Sequence, residues 1–301
     1  MTGTGDTGCR GRGFASLLVI AFATSAAFGQ MGRWPSEKKI VPDPVTGVPI
    51  TFLASTDGGY HQSKIYQTHR QWAVDGKWLI FRGTRETGSQ VFAVNEETGD
   101  IVQVTETGFS GMLCAGNKTM KLYVLAGGGG RRGGAGGARQ ILEIDLAKLF
   151  ADVAVGQVKP AANYQRVSGT IPATLQVDGM GLDANDDFQY FRVTGPETQL
   201  SPGQTLLPGF GPRFPQSTSG LRSMNLKTGE IKVIVNVGFG IGHVRTNPWA
   251  PGEIVFCWET GGKAPQRTWF VKSDGTGLRP LYPEAPYEWI THEAVLIRTK
   301  R

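Results

Sequence analysis

Short apolar runs, each closed by a turn rich in Gly, Asp or Asn, recur along the chain from residue 46 onward. Asp75-Gly76-Lys77 precedes Trp78-Leu79-Ile80-Phe81, and Gln90-Val91-Phe92-Ala93-Val94 leads through Thr98-Gly99-Asp100 into Ile101-Val102-Gln103-Val104. The phrase returns at Asn117-Lys118-Thr119 before Lys121-Leu122-Tyr123-Val124-Leu125, and at Asp186-Asp187 before Phe188-Gln189-Tyr190-Phe191. It returns again at Lys227-Thr228-Gly229-Glu230 before Ile231-Lys232-Val233-Ile234-Val235, and at Pro251-Gly252-Glu253 before Ile254-Val255-Phe256-Cys257. Runs this short, rich in β-branched and aromatic residues and punctuated by glycine, predict strands rather than helices. The unit recurs every ~40–60 residues, the spacing of blades in a β-propeller. A twisted four-stranded sheet cannot cover its own faces; neighbouring blades bury them, and a ring removes the free edges. The fold class is therefore all-β, with about five blades in residues 46–301. Residues 127–137 (Gly/Arg-rich) and 195–220 (Pro196, Pro202, Pro208, Pro212, Pro215) read as loops between strands, 142–150 as the site of a helical turn, and 290–297 as a last strand.

Composition narrows the picture. With 40% hydrophobic residues, 43 Gly and 17 Pro among 301, the chain has enough apolar content to fold and too many turn formers for a helical protein. Three Cys exclude a disulfide scaffold. The formal charge of +6 comes from dispersed Arg and Lys with no basic helix, so no nucleic-acid partner is expected; a positive field also suits a polyanionic sugar. Arg10 and Arg12 precede an apolar run over 14–28 that ends Ala27-Phe28-Gly29. That pattern predicts a cleavable signal, residues 1–29, cut after Gly29, and hence a periplasmic or secreted protein without stable membrane insertion; a retained anchor is the alternative. Residues 30–45 read as an extended lead-in. Cys9 falls in the signal, leaving Cys114 and Cys257 either paired or as two buried thiols. No phosphate-binding loop, Cys-x-x-Cys pair or Gly-x-Ser-x-Gly elbow occurs.

The block Gly242-His243-Val244-Arg245-Thr246-Asn247-Pro248, followed by Ile254-Val255-Phe256-Cys257-Trp258-Glu259, resembles a stretch of the oligogalacturonate lyases, propeller-fold pectate lyases of polysaccharide lyase family 22. So do Arg267-Thr268-Trp269, the run from Asp274 to Leu281, and Thr291-His292-Glu293. Upstream, the run from Gln71 to Phe81 and Gly108-Phe109-Ser110-Gly111 are similar too, all in the same order over residues 50–295. The resemblance implies a seven-bladed type of propeller, C-terminally truncated in this chain. It also implies cleavage of short oligogalacturonates by β-elimination in pectin degradation, with a divalent metal, Mn2+, as cofactor.

The chemistry explains the residue types. Removing the C5 hydrogen of a galacturonate builds charge on the adjacent carboxylate; a metal or a cation stabilises it, and a neutral imidazole takes the proton. The resemblance matches His243 to the base and His292 to a metal ligand, while the remaining family ligands, further His and a Gln, find no match, so the metal cage is expected to be incomplete. Arg222 and Arg245 are the two candidates for the cation near the scissile bond. Glu293 either orients His292 or faces solvent. Tyr60, His61, Gln62, Tyr66 and His69 are either substrate contacts at the propeller mouth or a polar first strand. Arg131 and Arg132 either capture a uronate or, the more common case for such a pair, sit in a solvated loop. Of the Trp residues most read as packing between blades, Trp289 being the best candidate for stacking on a sugar. Two other readings stay open: a non-catalytic periplasmic propeller that binds protein or sugar, and an inactive lyase homologue.

Overall fold

The computed structural model describes residues 1, 3, 31–57, 60–66, 69–86, 88–106, 109–127, 137–286 and 288–295. The expected signal over 2–29, the Arg131-Arg132 pair and the end of the chain after 295 lie outside the described residues, Met1 and Gly3 apart. Among the described residues no helix is long and apolar enough to cross a membrane.

Four antiparallel sheets follow one another, each a meander in chain order. The first contains His61–Lys64, Trp78–Arg85, Gly88–Asn95 and Ile101–Gln103, with Arg33–Trp34 added at its outer edge. The second is Phe109–Ala115, Lys121–Gly127, Arg139–Asp145 and Gln165–Ile171. The third is Gln176–Leu182, Phe188–Thr194, Ser219–Asn225 and Ile231–Val237; the fourth is Ile241–Thr246, Glu253–Trp258, Thr268–Lys272 and Arg279–Pro280. The first strand of the third sheet lies beside the first strands of the second and the fourth. This is the blade arrangement of a β-propeller.

The central strands, such as Trp78–Arg85, Gly88–Asn95 and Lys121–Gly127, are largely buried because both of their faces are covered. Ile80, Val91, Ala93 and Val102 of the first blade face Leu122, Val124 and Ile144 of the second in one core. Tyr123, Leu125 and Ile141 meet Phe191, Val193 and Met224 between the second and third. Tyr190, Leu221, Val235 and Val237 meet Ile241, Val244, Ile254 and Phe256 between the third and fourth. Polar fasteners add register. Asp186 accepts hydrogen bonds from the backbone N–H groups of Asn117 (2.7 Å), Lys118 (3.0 Å) and Thr119 (2.9 Å), tying a turn of the second blade to one of the third. Thr246 donates to the Leu182 carbonyl at 2.6 Å, tying the fourth blade to the third.

One turn is used twice. Asn95 and Asn225 each accept two backbone N–H bonds in the link from third to fourth strand, and the turns close at Gly99 (φ 77°) and Gly229 (φ 76°). Both glycines are in the left-handed region, which costs a side-chain-bearing residue ~1–2 kcal/mol.

Repeat spacing predicted about five blades; the described residues form four. Two excursions lengthen the spacing of the others. One carries helix α1, Leu146–Ala154, capped by Asp145 and seated by Phe150 stacked on Trp78 at 4.1 Å. The other runs from residue 195 to 218 with no strand of its own. The strand expected over 290–297 is absent from 290–295. His292 there has φ 57°, which breaks an extended run. The lead-in is more structured than a plain extended segment: Arg33–Trp34 pairs with Ile101–Gln103, and Lys39–Pro42 pairs with Pro49–Phe52 across residue 46. Cys114 and Cys257 are both buried free thiols.

Candidate active site

Three separated segments meet at one end of the inner strands: the loop after the first strand of the first blade (Tyr66, His69), the fourth blade (His243, Arg245, Cys257, Glu259, Arg267), and the tail (His292, Glu293). His243 and Arg245 reach it from the inner strand Ile241–Thr246. A bulge in the pairing of that strand between Ile241 and Val244 leaves Gly242 and His243 outside the regular register. Gly242 has to be small: a Cβ there would stand 2.7 Å from Cys257 Sγ and 2.7 Å from Glu259 Oε2.

His243 is held from both sides. Its Nδ1 lies 3.0 Å from Glu293 Oε2, and its Nε2 lies 2.8 Å from the Tyr66 hydroxyl. An ionised carboxylate only accepts, so in the neutral imidazole Nδ1 carries the proton and Nε2 the lone pair, with Tyr66 donating to it. The Glu293 side chain is 6% exposed. Burial pushes its pKa up, but hydrogen bonding to His243 and to backbone outweighs that and holds it below the ordinary glutamate value. Arg267 stands behind it, with Nε 3.8 Å from Glu293 Oε1 and Nη2 3.5 Å from Glu259 Oε2.

Arg245 lies on the other side of Tyr66, its guanidinium carbon 4.5 Å from the ring centroid. One of its nitrogens is 3.2 Å from His69 Nε2 and donates to the Val244 carbonyl at 2.8 Å. Burial and then the Arg245 charge push His69 down to about 3, so His69 is a neutral acceptor. Burial also lowers the Arg245 pKa, yet a guanidinium stays charged in neutral solution. Tyr66 is shifted upward, chiefly by burial, and is a phenol rather than a phenolate. The loop that presents Tyr66 and His69 is organised by Gln71, whose amide nitrogen bonds the carbonyls of Ile65, Tyr66 and His69 at 3.3, 3.1 and 2.9 Å.

Of the residues singled out in the sequence, the structure brings His243, His292 and Arg245 together. The His243 and His292 rings are 5.8 Å apart and nearly parallel, at 12°. Arg222 is elsewhere: its guanidinium bonds the Leu221 carbonyl (3.0 Å), Asn236 Oδ1 (2.8 Å) and the Glu197 carbonyl (3.3 Å). Buried on the third strand of its blade, it fastens the 195–218 excursion rather than facing the site. Glu293 orients His243, not His292. Tyr66 and His69 belong to the site, while the side chain of His61 lies outside the described residues. Arg267, Cys257 and Glu259 had no assigned role; their one signal was that all three sit in blocks carrying the family resemblance.

No family model matches the chain. Over 263 residues it is 25% identical to the oligogalacturonate lyase of Dickeya dadantii (strain 3937), a match covering 83% of this chain and 59% of that protein. Two solved structures are similar in fold. One is an oligogalacturonate lyase in complex with manganese (TM-score 0.65, 19% identity, 85% of this chain and 62% of that one). The other is an oligogalacturonate lyase from Vibrio parahaemolyticus (TM-score 0.66, 18% identity, 85% and 62%). The chain thus has the propeller fold and resembles the oligogalacturonate lyases, as its motifs imply. It spans about three fifths of the length of the relatives it matches.

Manganese favours a set of several hard donors, chiefly oxygens. His292 supplies one imidazole. Among the described residues, the one cluster of three His, Cys, Asp or Glu donors that could hold an ion is His243, Cys257 and Glu293, which does not include His292. The described residues therefore do not make up a manganese cage.

Proposed function

We propose that the chain is an exported β-propeller lyase that cleaves short oligogalacturonates by β-elimination. The observation that carries the reading is the Glu293–His243 pair, which fixes one imidazole tautomer and leaves Nε2 as a proton acceptor at the mouth of the site. Substrate entering there displaces the Tyr66 hydroxyl from Nε2. His243 Nε2 then takes the C5 proton, and the electrons of the C5–H bond form the C4–C5 double bond. The C4–O4 bond breaks, and its electron pair leaves with O4, which acquires a proton from water. The negative charge that builds on the C6 carboxylate is stabilised through space by the buried Arg245 guanidinium, held by His69 and the Val244 carbonyl. Glu293 stabilises the imidazolium as it forms. Exposed His292 lies across the mouth, close enough to His243 that one monosaccharide spans both. The net charge of +6 favours approach of a polyanion.

The test is ultraviolet absorbance of the unsaturated product from di- and trigalacturonate in manganese-containing buffer. The wild type generates it, and His243→Gln lowers kcat by ~100-fold or more. No absorbance from the wild type overturns the reading. A second reading, a uronate-binding propeller without turnover, is favoured by the single imidazole at the His292 corner; it gives heat on titration with digalacturonate and no product. Export is tested by sequencing the N-terminus of the mature protein, expected at Gln30.

A further inference from the structure

The donors gathered around His243 are the wrong set for manganese and a good set for a softer ion. We propose that His243, Cys257, Glu293 and Glu259 form a binding site for a thiophilic divalent cation of the zinc class, which silences the base when occupied. The inhibitory consequence rests on the lyase reading; the binding does not.

The His243 nitrogen, Cys257 Sγ and a Glu293 oxygen lie within 4.8 Å of one another. Glu259 Oε2 adds a fourth donor, 3.9 Å from Cys257 Sγ and 3.9 Å from His243 Nε2. Zinc–ligand bonds of about 2.0–2.3 Å put tetrahedral donors about 3.3–3.8 Å apart, so the cluster must contract by about an ångström. Cys257 Sγ and Glu259 Oε2 both border the space a side chain at position 242 would fill, so they stand on the same side of the cluster.

Two further observations point to an ion. Glu293 Oε1 is a buried acceptor with no hydrogen bond, although its side chain is 6% exposed. The cationic neighbour, Arg267 Nε, is 3.8 Å from it and has no hydrogen bond either. The nearest charges also balance. Glu293, Glu259 and Arg267 together carry −1, with the Arg245 guanidinium farther out against Tyr66; a divalent cation that displaces the Cys257 proton to solvent, forming a metal–sulfur bond, brings that inner set to zero. Thiolate and imidazole select zinc-class ions over manganese. The opening is through Glu259 and His243, whose side chains are 30% and 17% exposed.

The probe is cobalt(II) added to the full-length chain carrying Cys9→Ser, because Cys9 lies outside the described residues. One equivalent is expected to give a thiolate-to-cobalt charge-transfer band that zinc(II) abolishes by displacement. Cys257→Ser removes the band, whereas Cys114→Ser and His292→Ala retain it. Glu259→Gln, a partly exposed substitution that spares the core, keeps the band and weakens cobalt binding ~10-fold or more. No band at saturating cobalt, or a band that survives Cys257→Ser, overturns the site. Zinc is expected to suppress elimination in the parent chain, reversibly on chelation. A band without any elimination leaves the site standing and refutes the lyase reading; elimination without a band does the reverse.

Discussion

Replacing Glu293 by Gln isolates the contribution of one charge to the base. The carboxylate sits 3.0 Å from His243 Nδ1 with a side chain that is 6% exposed, so the solvent screens it little. A hydrogen bond to a charged group is worth ~1.5–3 kcal/mol, and that stabilisation grows as the imidazole becomes an imidazolium. The amide preserves shape and a hydrogen bond but removes the charge. A loss of ~2 kcal/mol in the transition state lowers kcat ~30-fold. KM should change less than ~3-fold, because Glu293 is turned away from the mouth and acts through His243. The assay is initial-rate absorbance with digalacturonate, backed by circular dichroism to show the fold intact. Glu293→Asp, which restores the charge at a longer reach, should recover part of kcat. Equal kcat in wild type and Glu293→Gln, or a loss confined to KM, would refute the role assigned to this pair.

Three further outcomes follow from the packing. His69 has a pKa of about 3 in the fold against 6.5 for the ordinary group, so the unfolded chain binds a proton between those values that the folded one does not. Stability should therefore rise with pH across that window, by up to ~1.4 kcal/mol per unit from this residue, and denaturant titrations of His69→Gln should show a flatter slope there. Gly229→Ala forces a side chain into φ 76° and brings its Cβ to 3.1 Å from the Ser168 carbonyl oxygen; a loss of ~1–2 kcal/mol is expected in urea unfolding. Asp186→Ala strips a buried anchor from the Asn117, Lys118 and Thr119 N–H groups, and should cost ~3 kcal/mol or more while leaving the midpoint-independent m-value unchanged.

The blade pattern was legible because the central strands are largely apolar runs ended by turns with their own chemistry, as at Asn95–Gly99 and Asn225–Gly229. Blade count was less legible. Repeat spacing assumes uniform loops, and helix α1 and the 195–218 excursion each insert residues that belong to no strand. In the site, His243, His292 and Arg245 were readable from local blocks. Arg222 was less legible, because a strand arginine looks alike in sequence whether it faces the axis or a neighbouring loop; in the fold it bonds Asn236 and the Glu197 carbonyl. Glu293 follows His292 in sequence, which suggested that it serves that neighbour. In the fold both residues reach His243, the Glu293 carboxylate at Nδ1 and the His292 ring alongside the imidazole, across a backbone turn marked by the left-handed φ at His292. Tyr66 and His69 were ambiguous because their partners lie in the fourth blade, a relation that no local pattern carries.

The central claim is that His243 removes a proton from C5 of a galacturonate. Digalacturonate deuterated at C5 tests it most directly. The wild type is expected to give an unsaturated product with a primary isotope effect on kcat/KM. Saturated products, or elimination at full rate in His243→Gln, would contradict it.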